Sequence, residues 1–318
     1  MVNRSAPARN PCTLGSVEEG GGKISVSTSV GPLALGLDIG GSSVKTALLR
    51  IDSSARPETV NTQLFHLDQS REPGLVVGEL ARITTQLRIQ YGPIASVGVG
   101  IPGMFDEAAG TPTLLPNFPI SWKGFPFRQE VEGNLGQKIA LVNDAKAFSL
   151  AESVVGSAAG LETVVCVVLG TGVGGGVVHR GKVWKGLGSA GELGHLTVEL
   201  DGPPCGCGNN GCVESFASSA AISTAGGQES VQAVFAAAAT GDARAQVAID
   251  RAIKALGAGL ANVFITLAPD TFVIGGGVAG AGKQLIAPLK QRSAGGSTWP
   301  RRATFTLSQD PSAGTPEP

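Results

Sequence analysis

The apolar run Leu33–Ile39, with Asp38 near its end, predicts a strand. The short turn Gly40-Gly41-Ser42-Ser43 joins it to a second strand-like run, Val44–Ile51, which makes a hairpin. A third run around Val60–His66 continues the meander. The period then changes. Leu75, Val76, Leu80, Ile83 and Leu87 recur at spacings close to 3.6, so Gly74–Gln90 predicts a helix. Strands follow at Ala95–Ile101 and Ile139–Val142, and a helix runs from Asp144 to about Val155. The second half repeats the theme with the strand Thr163–Leu169, the turn Gly170–Gly175 and a returning strand Gly176–His179. Helices are predicted at Glu229–Ala238 and Ala243–Leu267, a strand at Thr271–Ile274, a helix beginning near Gly282, and a last strand at Ala303–Leu307. Strands alternating with helices predict an α/β fold, here in two halves with a cleft between them.

Composition narrows the classes. The 318 residues suit about two domains, and 42 % apolar content supplies a substantial core. Net charge is −1, with no basic patch to attract nucleic acid and no apolar stretch long enough for a membrane span. Residues 1–30 are polar and Gly/Ser-rich, unlike a secretory signal, so a reducing cytoplasm is expected. Glycine is the outlier at 47 residues, about twice the usual share of ~7 %. The glycines cluster after apolar runs, which predicts tight turns where backbone approaches a ligand or another chain segment.

The sharpest chemical signal is Gly191-Glu192-Leu193-Gly194-His195 followed by Cys205-Gly206-Cys207-Gly208-Asn209-Asn210-Gly211-Cys212. Three thiols and one imidazole make a full tetrahedral zinc set with no open position, so a metal here would brace the fold. Cys205 and Cys207 are one residue apart, a poor arrangement for bridging each other. Cys166 lies within the apolar run Val164–Leu169 and reads as core, and Cys12 reads as a tail thiol. Asp38 precedes Gly40-Gly41-Ser42 and Lys45. A glycine turn can hold phosphate oxygens, and the adjoining carboxylate can hold hydrated Mg²⁺. Gly170-Thr171-Gly172-Val173-Gly174-Gly175-Gly176 is a second such turn. A strand follows it, which rules out a dinucleotide fingerprint, and it lacks the Lys-Ser/Thr ending of a P-loop. Asn143-Asp144 stands at the carboxyl end of a strand, where α/β sheets bind ligands. Asp144 there can cap a helix or accept a proton from a substrate hydroxyl. Asn117, Glu192, His195 and Glu214 complete a polar set suited to a polyhydroxylated ligand. Trp122 and Trp184 can flank a sugar ring, although core or surface packing is the simpler reading.

Taken together these segments resemble the ROK family, the bacterial sugar kinases and repressors of the actin-like ATPase superfamily. Asp38–Lys45 is similar to the family's first phosphate motif, Gly170–Gly176 to its second, and Val273–Val278 to its adenosine motif. Gly188–His195 and Cys205–Glu214 are similar to its two signatures, and the likeness runs from about Leu33 to Leu289. The resemblance implies a two-domain actin-like (ribonuclease H-like) α/β fold, with residues 33–143 and 144–302 as its halves. It implies ATP-dependent phosphorylation of a hexose at its primary hydroxyl, glucose to glucose 6-phosphate in the first place. An N-acetylhexosamine kinase and a catalytically impaired sugar-binding relative are the alternatives. It makes Asp144 the base and Asn117, Asn143, Asp144, Glu192, His195 and Glu214 the sugar shell. His195, Cys205, Cys207 and Cys212 become structural Zn²⁺ ligands, and Asp38 helps to place Mg²⁺. Gly40, Gly41, Ser42, Lys45, Gly170, Thr171, Gly172 and Gly174 face the phosphates of ATP, while Gly275, Gly276 and Gly277 face the nucleoside. The resemblance also implies a homodimer. Family repressors carry a helix-turn-helix ahead of this part, and residues 1–32, too short and glycine-rich for one, are expected to form a disordered extension. The tail 303–318 departs from the pattern, because its prolines leave no room for the usual final helix.

Overall fold

The computed structural model describes residues 31–52, 56–115, 118–293 and 304–308. The expectations for the N-terminal extension, Cys12, Asn117 and the last ten residues lie outside them. Leu33–Ile39 (β1), Ser43–Arg50 (β2) and Glu58–His66 (β3) form an antiparallel meander. Helix Pro73–Tyr91 (α1) leads into Ile94–Ile101 (β4), parallel to β1. The small hairpin Met104–Asp106 (β5) and Thr111–Leu114 (β6), then helix Phe127–Leu135 (α2), precede Ile139–Asn143 (β7), parallel to β4. Helix Asp144–Val154 (α3) leads to a second meander of Thr163–Leu169 (β8), Val173–His179 (β9) and Lys182–Val183 (β10). Four helices follow, Glu214–Ala217 (α4), Ser219–Gly226 (α5), Val231–Ala239 (α6) and Ala243–Leu267 (α7). Thr271–Gly275 (β11) runs parallel to β8, helix Lys283–Ser293 (α8) comes next, and Thr304–Leu307 (β12) runs parallel to β11.

The two sheets have one topology. Their orders are β3-β2-β1-β4-β7 and β10-β9-β8-β11-β12, each with three antiparallel strands and two more added parallel to the first. The repeat read from the two glycine turns therefore extends to whole sheets. The two turns differ by one residue, since Ile39 pairs with Val44 but Leu169 pairs with Val173. The second turn is thus shorter than expected, and Val173–Gly175 belong to the returning strand.

Burial explains these elements. Leu33, Leu35, Leu37 and Ile39 alternate into the core while Asp38 stays exposed, the period-2 signature of a strand. β8 is covered on both faces. Val165, Val167 and Leu169 join the cluster under α7, while Val164 and Cys166 join Ala158, Val273 and Phe148 on the other side. Burial there pushes the Cys166 thiol up to about 12, so it stays protonated and behaves as an apolar filler. On α7, Ala245, Ala248, Ile249, Ala252, Ile253, Leu256 and Leu260 fall on one face, and the Asp242 carboxylate caps its first turn. On α1 the buried set is Val76, Val77, Leu80, Ile83, Thr84 and Leu87. Leu75, expected on that face, points outward. Trp122 is core, among Phe118, Phe125 and Phe127, and its indole N–H donates to the Arg71 carbonyl at 2.7 Å. Trp184 is exposed.

Candidate active site

α3 follows the last strand of the first sheet and packs on β8 and β9 of the second. Glycines allow that contact. A Cβ on Gly174 would lie 2.7 Å from the Ala145 Cβ, and one on Gly176 would strike the Ser149 side chain. Gly174, expected at the phosphates, also allows this close strand–helix packing. Asn143 caps α3. Its Oδ1 accepts from Lys146 N at 3.1 Å, and its Nδ2 donates to the Gly103 carbonyl at 3.0 Å. The amide expected to meet a sugar also ties the helix start to the turn that follows β4.

Asp144 is the first residue of α3. Its Oδ1 accepts from Ala145 N at 2.7 Å. Part of its surface is open to solvent, but protein crowds most of the carboxyl, and this burial pushes it up to about 6. The negative charges of Asp38 and Glu192 push in the same direction. Asp38 is the last residue but one of β1, ahead of the first glycine turn, and Glu192 stands next to Leu193–His195. Asp144 therefore feels both sides of the site.

Glu192 lies beside the cysteine loop, three residues before His195. Burial raises its carboxyl, Lys146 and His195 oppose the rise, and Glu214 adds to it. Its Oε1 is 3.7 Å from the Lys146 ammonium. His195 ends a short 3₁₀ turn, Leu193–His195. One of its ring nitrogens and the sulfurs of Cys205, Cys207 and Cys212 all lie within 4.8 Å of one another. The pairs His195 Nδ1–Cys205 Sγ and Cys207 Sγ–Cys212 Sγ measure 3.6 and 3.7 Å. A tetrahedral zinc with Zn–S ~2.3 Å needs sulfurs ~3.8 Å apart, so this group fits the metal, and it is far too open for a disulfide bond. Burial, then the neighbouring sulfurs, push the Cys212 thiol up to about 12.

Glu214 does something the sequence reading did not assign. Its Oε2 accepts from Val173 N at 2.9 Å, and its Oε1 is 3.8 Å from Cys205 Sγ. The carboxylate ties the cysteine loop to the second glycine turn across 41 positions. A Cβ on Gly172 would come within 2.6 Å of the same Oε2.

The turns themselves are tight. Gly40 N donates to Ser43 O at 2.8 Å, and Gly170 N to Gly172 O at 2.9 Å. Ser42 and Thr171 are exposed at their tips, and Lys45 faces Asp38 across the β1–β2 ladder. Gly276 has φ +87, and a Cβ there would strike the Leu169 backbone, so the Gly275–Gly277 turn is pressed against the end of β8. Gly275 itself packs on the Phe148 ring.

The ROK family profile matches residues 34–295. The chain belongs to the ROK family. It has the two-domain actin-like ATPase fold, and sugar phosphorylation is the activity of its kinase relatives. It is 34 % identical over 279 residues to a glucokinase of Thermotoga maritima, covering 81 % of this chain and 86 % of that one. It is 30 % identical over 260 residues to an N-acetyl-D-glucosamine kinase of Aliivibrio fischeri, covering 77 % and 84 %. A ROK family glucokinase from Streptomyces griseus, solved with glucose and AMPPNP, superposes with a TM-score of 0.72 at 27 % identity, over 87 % of this chain and 94 % of that one. The ROK kinase reading thus reaches beyond the signatures to the whole arrangement of sheets.

Proposed function

We propose that this ROK kinase transfers the γ-phosphoryl group of ATP to the primary hydroxyl of a hexose, glucose in the first place. One observation carries the reading most directly. The carboxyl of Asp144 feels the charges of both Asp38, next to the first glycine turn, and Glu192, next to the cysteine loop. Asp144 accepts the hydroxyl proton as the sugar oxygen attacks phosphorus. Glu192 and the His195 ring grip the other hydroxyls, and Asn117, outside the described residues, is assigned to the same shell. His195, Cys205, Cys207 and Cys212 would hold a structural zinc, which would brace this wall of the site while the His195 ring still faces the sugar. The turns at Gly40–Ser42 and Gly170–Gly172 cradle the donor phosphates with backbone N–H groups, and Gly275–Gly277 line the nucleoside. Asp38 would help to hold Mg²⁺, which would supply charge neutralisation at the phosphates. Positioning and charge neutralisation do most of the work, because phosphoryl transfer needs little covalent help.

A base that titrates near 6 sets a sign. Below that pH the Asp144 carboxyl is protonated and cannot accept a proton, so kcat/KM for the sugar falls as pH drops through about 6 and levels off above it. A profile flat from pH 5 to 8 would remove Asp144 from that step.

The N-acetyl-D-glucosamine kinase relatives make N-acetylhexosamines the second reading. Measuring ADP release with glucose, mannose, fructose, N-acetylglucosamine and N-acetylmannosamine separates the two, and ATP against polyphosphate identifies the donor. Glucose should give the highest kcat/KM. Silence on every sugar would mark a sugar-binding relative without turnover. A reducing cytoplasm, which keeps the thiols available to zinc, and a homodimer belong to the same reading. Among the described residues no helix is long and apolar enough to cross a membrane.

A further inference from the structure

Lys146 is a buried cation with no part in the proton transfer. It lies two residues beyond Asp144 on α3, and its side chain is only 3 % exposed. A buried ammonium without partners is strongly disfavoured, so its contacts explain its place. Its Nζ donates to the Gly188 carbonyl and lies 3.7 Å from Glu192 Oε1. Both partners belong to the stretch Gly188–Glu192, which leads into the zinc ligand His195. That stretch has little regular structure of its own. Gly188 and Gly191 both take left-handed backbone, φ +107 and +86, which favours glycine. At its outer end the same loop is held by the Lys185–Glu107 ion pair at 2.7 Å, but an exposed pair adds little. The buried contact is the firmer anchor. Residues two apart on a helix face different sides, so α3 can present Asp144 to the reaction and Lys146 to the loop.

We propose that Lys146 is a positioning residue for sugar recognition: its ammonium clamps Gly188–Glu192 onto α3 and so sets the Glu192 carboxylate at a fixed separation from Asp144. The inference rests on the reading of Glu192 as part of the sugar wall. The ammonium takes Oε1, which directs Oε2 to a sugar hydroxyl. The clamp acts on the acceptor and leaves the donor turns alone.

The test compares Lys146→Met, Lys146→Gln and Glu192→Gln in the full chain, with melting curves and the KM for the best sugar and for ATP. Lys146→Met should raise the sugar KM at least ~10-fold and leave the ATP KM within about twofold. Lys146→Gln, which can still donate to the Gly188 carbonyl, should fall between. Lys146→Met/Glu192→Gln should be no worse than Glu192→Gln alone, because the clamp has then lost its cargo. A folded Lys146→Met with an unchanged sugar KM, or with both KM values raised alike, would overturn the proposal. If Lys146→Met does not fold, Lys146→Gln carries the same comparison. If Glu192→Gln leaves the sugar KM unchanged, the sugar-wall reading itself fails. If Glu192→Gln raises it and the Lys146 variants do not, only the clamp fails.

Discussion

Asp144→Asn should lower kcat by at least ~100-fold while sugar affinity, measured by calorimetry, stays within a few-fold. Asparagine keeps the size and can still hydrogen-bond a hydroxyl, but it cannot take the proton. The residue's surroundings make a second effect of opposite sense. Burial and the charges of Asp38 and Glu192 hold the folded carboxyl near 6, above its ordinary 3.8. A carboxyl raised on folding contributes stability that is present below its unfolded value and lost as pH rises through its folded one. At pH 8 the wild-type protein therefore carries a cost that Asp144→Asn does not, and the variant should melt higher. The difference should shrink towards pH 4, where both side chains are neutral. Loss of turnover with a gain in stability is the mark of a group strained for function. A variant that is inactive and less stable at pH 8 would instead indicate a purely structural aspartate.

Removal of zinc should be as severe by another route. The wild-type chain should hold about one zinc by metal analysis, and Cys207→Ser should lose it, with a fall in melting temperature of at least ~10 °C. Cys207 is the informative position because it is exposed, whereas Cys212 is fully buried. Serine at 207 removes no core volume, so the loss would report the metal bond. The damage should spread to the donor side, since Glu214 joins Cys205 to Val173 N beside the second phosphate turn. ATP affinity should therefore fall along with sugar affinity. A zinc-free protein with normal melting and turnover would contradict the assignment.

Much of this was legible in the chain because its signals are local. β1, β8 and α7 appear over the residues their patterns predicted, since each is a run of apolar side chains with clear punctuation. The short elements were not legible. β5 and β6 span three and four residues, too few to show a period. α2 carries only Phe127, Val131 and Leu135 as its buried stripe, with a glycine inside it. Among site residues, the cysteine cluster and Asp144 announced themselves by type and spacing. Lys146 did not, because a lysine on a helix reads as a solvated charge, and only its three-dimensional partners reveal burial. The Glu214–Val173 bond joins residues 41 apart and leaves no pattern in the sequence. At Gly174 and Gly275 the absent side chains also make room for Ala145 and Phe148, a packing role that leaves no pattern in the sequence.

The central claim is that one carboxyl, Asp144, serves both the sugar wall and the phosphate turns. A structure of the full chain with glucose and a non-hydrolysable ATP analogue tests it most directly. The account predicts the sugar's primary hydroxyl at hydrogen-bond distance, roughly 2.6–3.2 Å, from the Asp144 carboxylate, with the γ-phosphate on its far side and Glu192 on the ring hydroxyls. A sugar seated away from Asp144, or phosphates bound outside the turns at Gly40 and Gly170, would contradict it.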